Sequence, residues 1–405
     1  MADASGGPRR HEGRAVAFVY LAGLLQGVVM VSFAASSAVL RERHGFSDTE
    51  YGSIFLPQVA LAALGAIGSG AFLGVLDLRH VLGLSLAAMA LSQAALAGSH
   101  FLDPGPALAA IMLGTALMGL GSGLGAAPLN TYPQVFYPGR SDSAVVAMHT
   151  AMGVGLAGGP LFVAGLATHG LWLLFPLVFL AACLALLLTT PRAALPRGAR
   201  LQERSASGPS PARALRFWLF AAIALLYALT EAGYGNWAVL YLSEEKGLGV
   251  AAAGLGLAAF WIALSAGRVL VGFLVLRVPA RRVYVALPLL MAGASLLLPG
   301  ADTEARAVVL FALAGLGCSG FYPLTVSLAS RHFPGHMAWV SSMIFAALAT
   351  GIGAGSFATG ALRARLPLST IYRLEALFPL LALALAVPAL AAPPRPRARS
   401  NIEGQ

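Results

Sequence analysis

Few residues of this chain are able to do chemistry, and the most conspicuous is an acid in an apolar run. In "ALTEAGYGNWAVLYLSEEKG" (228–247), Glu231 lies 15 residues after Arg216 and 13 before Glu244. On one continuous helix it is about 20 Å from either charged end, at 1.5 Å per residue. A carboxylate so placed in a membrane must be neutral, paired or turned toward water, and by default it is functional. The chemistry expected of it is the uptake and release of a proton; the alternative is a protonated acid bonded to a neighbouring helix. Tyr227, Glu231, Tyr234, Ala238 and Tyr241 recur at helical spacing and form one stripe with aromatic walls and hydroxyls. Gly233 and Gly235 bracket Tyr234 and are expected to bend the helix as an outer gate.

Other polar residues stand at similar depth. Arg268, nine residues before Arg277, has three open roles: pairing with Glu231, binding an anionic substrate, or snorkelling to the interface. His149, nine residues after Arg140, either exchanges protons or bonds a helix partner as a neutral imidazole. The amides Gln26 and Asn130 suit hydroxyl binding, as donors and acceptors together. Gln26 is flanked by Gly23 and Gly27, which favours close helix packing, and Asn130 has the alternative of capping the cytoplasmic end of its helix. Asn236, Trp237, Trp261 and Tyr322 are candidate cavity lining, although each alone is commonly packing. Arg373 and Glu375 are expected at a membrane interface.

The elements that must position these residues follow from composition. Of the 405 residues, 58% are hydrophobic and 10% charged, and the mean hydropathy is +0.79. Soluble domains carry about 25% charged residues. The apolar residues fall into twelve blocks, each long enough to cross a hydrocarbon core of about 30 Å. They run over 15–39, 52–76, 81–100, 106–130, 143–168, 170–190, 216–242, 250–276, 283–300, 306–329, 337–362 and 370–393. The chain is therefore an all-α polytopic membrane protein with the lipid bilayer as its solvent. With both termini in the cytoplasm, 18 basic residues fall on the cytoplasmic side and 6 outside, as the positive-inside rule requires. A bacterial-type inner membrane is the expected location. The formal charge of +10 is thus a topology signal, and nucleic acid is not an expected partner. The first apolar run is too long for a signal peptide. Cys183 and Cys318, one in each half, offer neither metal spacing nor a disulfide framework. No cofactor is expected, and the chain lacks the motifs of a membrane enzyme.

The polar stretch 191–215 divides the chain into an N-terminal bundle (1–190), a cytoplasmic linker and a C-terminal bundle (216–405). The halves repeat. Pro128-Leu129 aligns with Pro323-Leu324, Pro138-Gly139 with Pro334-Gly335, and Gly155 and Gly159 with Gly351 and Gly355, at a shift of 195–196. The glycine run "GLGSGLG" (119–125) lacks the Lys-Ser/Thr of a phosphate loop and instead permits close helix contact. Two similar bundles imply a substrate site between them near the midplane.

On these features the chain resembles the major facilitator superfamily over its whole length. Within it, "LNTYPQVFYPGR", "MHTAMGVGLAGGPL", "TEAGYGNW", "SAGRVLVG" and "GFYPLTVSL" resemble the fucose-permease type of sugar:proton symporter. The resemblance implies two pseudo-symmetric six-helix bundles, alternating access, and a gating role for Asp77 and Arg79, which remain from the superfamily's loop after the second span. That loop's second basic pair is missing. The fucose-permease type also carries acids in its N-terminal half, and spans one to six here have none, so a fucose substrate does not follow. The position where proton-driven exporters often carry an arginine is Gly119. The expected function is proton-coupled transport of a small polar solute such as a sugar or polyol, by a monomer. Proton-antiport efflux of amphipathic compounds and transport of an organic anion through Arg268 are the alternatives.

Overall fold

The computed structural model describes residues 10–72, 77–137, 141–196, 210–333 and 336–390, and every regular element among them is helical. The first half comprises α1 (Arg10–Ala35), α2 (Ser37–His44), α3 (Asp48–Ser53), α4 (Phe55–Phe72), α5 (Leu78–Ser99), α6 (Pro104–Phe136), α7 (Ser141–Ala167) and α8 (Leu174–Thr189). The second comprises α9 (Leu215–Asn236), α10 (Ala238–Leu240), a π-helical turn (Tyr241–Glu245), α11 (Val250–Leu274), α12 (Ala280–Leu297), α13 (Glu304–Ser319), α14 (Phe321–His332), α15 (Met337–Arg363), α16 (Leu368–Glu375) and α17 (Leu377–Ala389). Among the described residues, eleven segments are long and apolar enough to cross a membrane. The remaining crossing, expected at 52–76, is α4 with α3 leading into it.

Prolines explain where crossings are interrupted. Pro57, Pro323 and Pro379 each lack the N–H that would bond the carbonyl four residues earlier. Those carbonyls belong to Ser53, Ser319 and Glu375, the last residues of α3, α13 and α16. The expected break at His169–Gly170 is present: α7 ends at Ala167, and Gly170 takes φ 69°, a left-handed turn that glycine adopts without a Cβ clash. The anticipated bend at Gly233 and Gly235 is not: α9 runs through both glycines and is interrupted at Trp237. The Pro138-Gly139 and Pro334-Gly335 pairs, Arg140 and most of the linker lie outside the described residues.

The helices form two six-span bundles. In the first, α1 packs on α7 and α6 on both α4 and α5; in the second, α9 packs on α15 and α13 on α11. The halves repeat each other at their tightest contacts. A Cβ at Gly155 would collide with the Leu24 carbonyl of α1, and one at Gly351 with the Leu225 carbonyl of α9. Small residues thus set the same helix pair in each half, as close packing in a bilayer requires. The run 119–125 closes on α4, where Gly119 and Gly123 abut the Gln58 and Ala62 carbonyls. Between the bundles run two seams, α7 against α11, and α3 with α4 against α15.

Candidate functional site

The two ends of the bundle differ. At the end away from the α8–α9 connection, here the far end, the halves are joined by polar side chains. Arg41 approaches Asp48 at 2.5 Å and Glu244 at 3.3 Å, while Arg363 approaches the same acids at 3.2 and 2.7 Å. Each cation therefore stands between two anions, with two members of the ring from each half. A second layer involves Tyr51, whose hydroxyl donates to the Asn236 carbonyl at 2.8 Å. Its ring meets Trp237 edge-on at 5.0 Å. Asn236 Nδ2 donates to Ser356 Oγ at 2.7 Å, and Trp237 Nε1 to the Ser356 carbonyl at 3.2 Å. Asn236 and Trp237, expected in the cavity lining, thus belong to this closure. Sequence reading missed Tyr51, Ser356 and the charged ring, because only the fold brings α2, α3, α15 and the π turn together.

Toward the linker end, polar residues of both halves gather along the α7–α11 seam. Glu231 is 9% exposed and lies on α9, with Tyr227 one turn below and near enough to act on it. The Tyr227 hydroxyl also reaches the Cys318 carbonyl at 3.2 Å. Arg268 of α11 is near enough for its charge to act on Glu231, on His149 of α7 and on Tyr322 of α14. His149 bonds Asn130 Oδ1 through Nε2 at 3.0 Å. Because Asn130 Nδ2 donates to the Ala126 carbonyl at 2.7 Å, the amide oxygen accepts and the imidazole Nε2 donates. Asn130 is not a helix cap, since α6 continues to Phe136.

Three polar atoms of α11 are buried without a partner: Trp261 Nε1, Ser265 Oγ and Arg268 Nε. Their spacing of four and three residues sets them on one helix face. Trp261 lies beside Gly235, 3.4 Å from where a Cβ would be. Since α9 and α11 run antiparallel, Ser265, four residues further along α11, is level with Glu231. Ser265 also faces Gly153 of α7, where a Cβ would collide with its hydroxyl. Sequence reading passed over Ser265, as a lone serine in an apolar helix carries no signal until its neighbours are known.

Several other candidates sit elsewhere. The hydroxyl of fully buried Tyr234 bonds the Met291 carbonyl at 2.9 Å and Ser295 Oγ, both on α12, so this residue points into the second bundle. Gln26 buries its Oε1 without a partner beside Gly125 and Ser85, between α1, α6 and α5. It is not brought to the Glu231 cluster. Gly233 makes room for Glu375, whose carboxylate a Cβ there would strike, so it serves packing and not the bend expected of it. Glu375, expected at an interface, is 4% exposed and accepts from Thr359 Oγ1 at 3.3 Å, whereas Arg373 is exposed. Asp77 stands exposed immediately before α5, its carbonyl accepting from the His80 and Val81 amides, and Arg79 lies in that helix's first turn.

A polytopic helical chain with a polar seam between two bundles, sealed at one end, has the build of a membrane transporter. The family is shown directly: the model of the Major Facilitator Superfamily matches residues 16–249 and again 220–405, and the chain belongs to that superfamily. Solved transporters share its fold. A bacterial homolog to the human lysosomal transporter Spinster, inward-facing and occupied, superposes with a TM-score of 0.76 at 15% identity, covering 95% of this chain and 97% of that one. The same homolog, inward-facing and unoccupied, gives 0.72 at 15% identity, covering 95% and 96%. A mutant of the nucleoside transporter NupG gives 0.73 at 13% identity, covering 94% and 100%. No curated protein matches the sequence. The chain is a transporter, not an enzyme, and an integral multi-pass membrane protein.

Proposed function

We propose that this protein is a proton-coupled secondary transporter of a small polar solute, working by alternating access with Glu231 as its proton site. The observation that carries the reading is the position of Glu231. It sits on the seam between the bundles, level with unpartnered polar atoms of α11 and within the field of Arg268. A neutral carboxyl crosses between the two access states at small cost, whereas a charged one does not. The bundles divide at 191–215, both termini are cytoplasmic, the far end is the outer end, and the protein acts as a monomer in a bacterial-type inner membrane. Cysteine probes at 195–212 are then labelled only from the cytoplasm and probes at 44–48 only from outside. The far-end closure agrees with an inward-facing arrangement, the state of the Spinster homolog that superposes on this chain.

Efflux of an amphipathic compound is less well supported, because Tyr227, Tyr234 and Trp237, aromatic residues that would wall its cavity, are fully buried. The organic-anion alternative is favoured by one observation, the buried and unpartnered Nε of Arg268.

The test is solute flux into proteoliposomes under an imposed pH gradient, wild type beside Glu231→Gln, with sugars, polyols and organic acids as probes. The Gln variant keeps the shape of the protonated acid and is expected to bind and exchange solute without concentrating it. Accumulation equal to wild type would make Glu231 structural and move the coupling site to His149.

A further inference from the structure

We infer that the seam is a binding site for a polyhydroxy acid: a hexose-sized molecule with a carboxylate at Arg268 and hydroxyls along Ser265 and Trp261. The inference rests on the transporter reading above and names its substrate class.

It starts from the α11 row. Trp261 Nε1 and Arg268 Nε are donors only, and the Ser265 hydroxyl donates as readily as it accepts. All three are buried without a partner. A buried donor left unpaired is expensive, and natural structures hold few of them. Three in sequence on one face, beside the seam, call for a ligand that brings acceptors. The row extends over seven residues, about 10 Å along the helix. A six-carbon chain with an oxygen on each carbon is about that long once its hydrogen bonds are included. Gly153 on the facing helix lies directly against the Ser265 hydroxyl, and any side chain there would strike it.

Charge then separates an acid from a neutral sugar. The groups facing Arg268 are Glu231 and Tyr227 from α9, His149 from α7, Cys318 from α13 and Tyr322 from α14. With Glu231 protonated and the other groups neutral, the guanidinium is the one charge in the cluster, and its planar fork suits a carboxylate. With Glu231 ionised, the two carboxylates compete for it. Proton and acid therefore enter together and leave together, which is symport. A neutral sugar would satisfy Trp261 and Ser265 yet leave the guanidinium without an anion.

The experiment measures binding to the purified full-length protein at mildly acidic and neutral pH. The probes are gluconate and galacturonate, with glucose and sorbitol as their uncharged counterparts. The acids are expected to bind about tenfold or more tightly than the neutral pair, and better at the lower pH. Arg268→Lys should weaken gluconate about tenfold. Ser265→Ala and Trp261→Phe should each weaken it about fivefold. Thermal unfolding without ligand checks that each variant is folded. The proposal is overturned if glucose or sorbitol binds as well as the acids, if neither acid binds, or if folded Ser265→Ala and Trp261→Phe both keep wild-type affinity, which would mean that water satisfies the row. Failure of the underlying reading looks different. Then Glu231→Gln still concentrates whichever solute is carried, whereas a wrong substrate class leaves a neutral solute whose accumulation Glu231→Gln abolishes.

Discussion

At the far end, side chains from the two halves meet in ion pairs and hydrogen bonds; at mid-depth on the other seam, three polar atoms of one helix lie buried without a partner. Arg41, Asp48, Glu244 and Arg363 close a ring in which every charge has two opposite neighbours. Below it, Tyr51, Asn236, Trp237 and Ser356 exchange hydrogen bonds. Along α11, by contrast, Trp261, Ser265 and Arg268 leave donors unspent around one carboxyl. A satisfied polar contact holds two bodies together, and an unsatisfied one waits for something to arrive. The same kinds of residue are paired between the halves in one place and left with buried, unpartnered atoms in the other.

The two buried glutamates repeat the lesson. Glu375 sits inside the second bundle against Gly233 and Thr359. Glu231 lies within the field of Arg268, a cation whose charge also acts on His149 of the other half. A carboxyl between moving bodies is able to exchange protons with both sides of a membrane, and one enclosed within a single body is not.

The comparison can be broken most severely at Trp237. Replacing a buried tryptophan with alanine removes about 3–5 kcal/mol of packing and bonding. Trp237→Ala should therefore shift the balance toward an open far end by roughly 100-fold. The reporter is a thiol at position 265, made by Ser265→Cys, attacked by an impermeant reagent from the far side. Unchanged labelling would mean that the charged ring alone keeps that end shut.

The ring itself should yield a smaller effect. A double-mutant cycle on Asp48→Ala and Arg363→Ala is expected to show a coupling of about 0.5–1 kcal/mol, because these groups are partly exposed and screened. Added salt should reduce it. A coupling of zero, read from the same labelling rates, would leave the ring without a role in closure.

The smallest effects separate two tyrosines that the sequence put on one stripe. Tyr234→Phe loses bonds to Met291 and Ser295 inside one bundle. It should cost about 1 kcal/mol of stability in thermal unfolding and leave solute affinity as it was. Tyr227→Phe removes the hydroxyl that reaches Glu231 and should displace the pH profile of transport. If the two variants behave alike, the division between bundle core and seam is misplaced.

Much of this was legible in the residues alone. The twelve crossings came from block length, the repeat from glycines and prolines at a shift of 195–196, and the mid-depth acid Glu231 from a charge inside an apolar block. Of the expected stripe, Tyr227, Glu231 and Tyr234 share α9 while Tyr241 falls in the π-helical turn beyond the interruption at Trp237, and a helix face inside a bundle touches several neighbours. Tyr227 bonds the Cys318 carbonyl of α13, whereas Tyr234 and Tyr241 bond α12 and the turn that follows it. The bend assigned to Gly233 and Gly235 failed for a related reason. Glycine permits a bend, but at Gly233 the missing side chain admits Glu375 instead.

The sequence by itself therefore determined that this chain spans a membrane in two similar halves and keeps an acid at mid-depth. Hydropathy and periodicity act along the chain, and each block must satisfy its own backbone before it meets another. Only the tertiary structure decided which polar atoms find partners. That outcome depends on contacts between residues more than a hundred positions apart, such as Tyr51 with Asn236 and Gly153 with Ser265. No local pattern records whether a serine in an apolar helix faces lipid, a neighbour or a ligand. The packing of α7 against α11 decides it for Ser265.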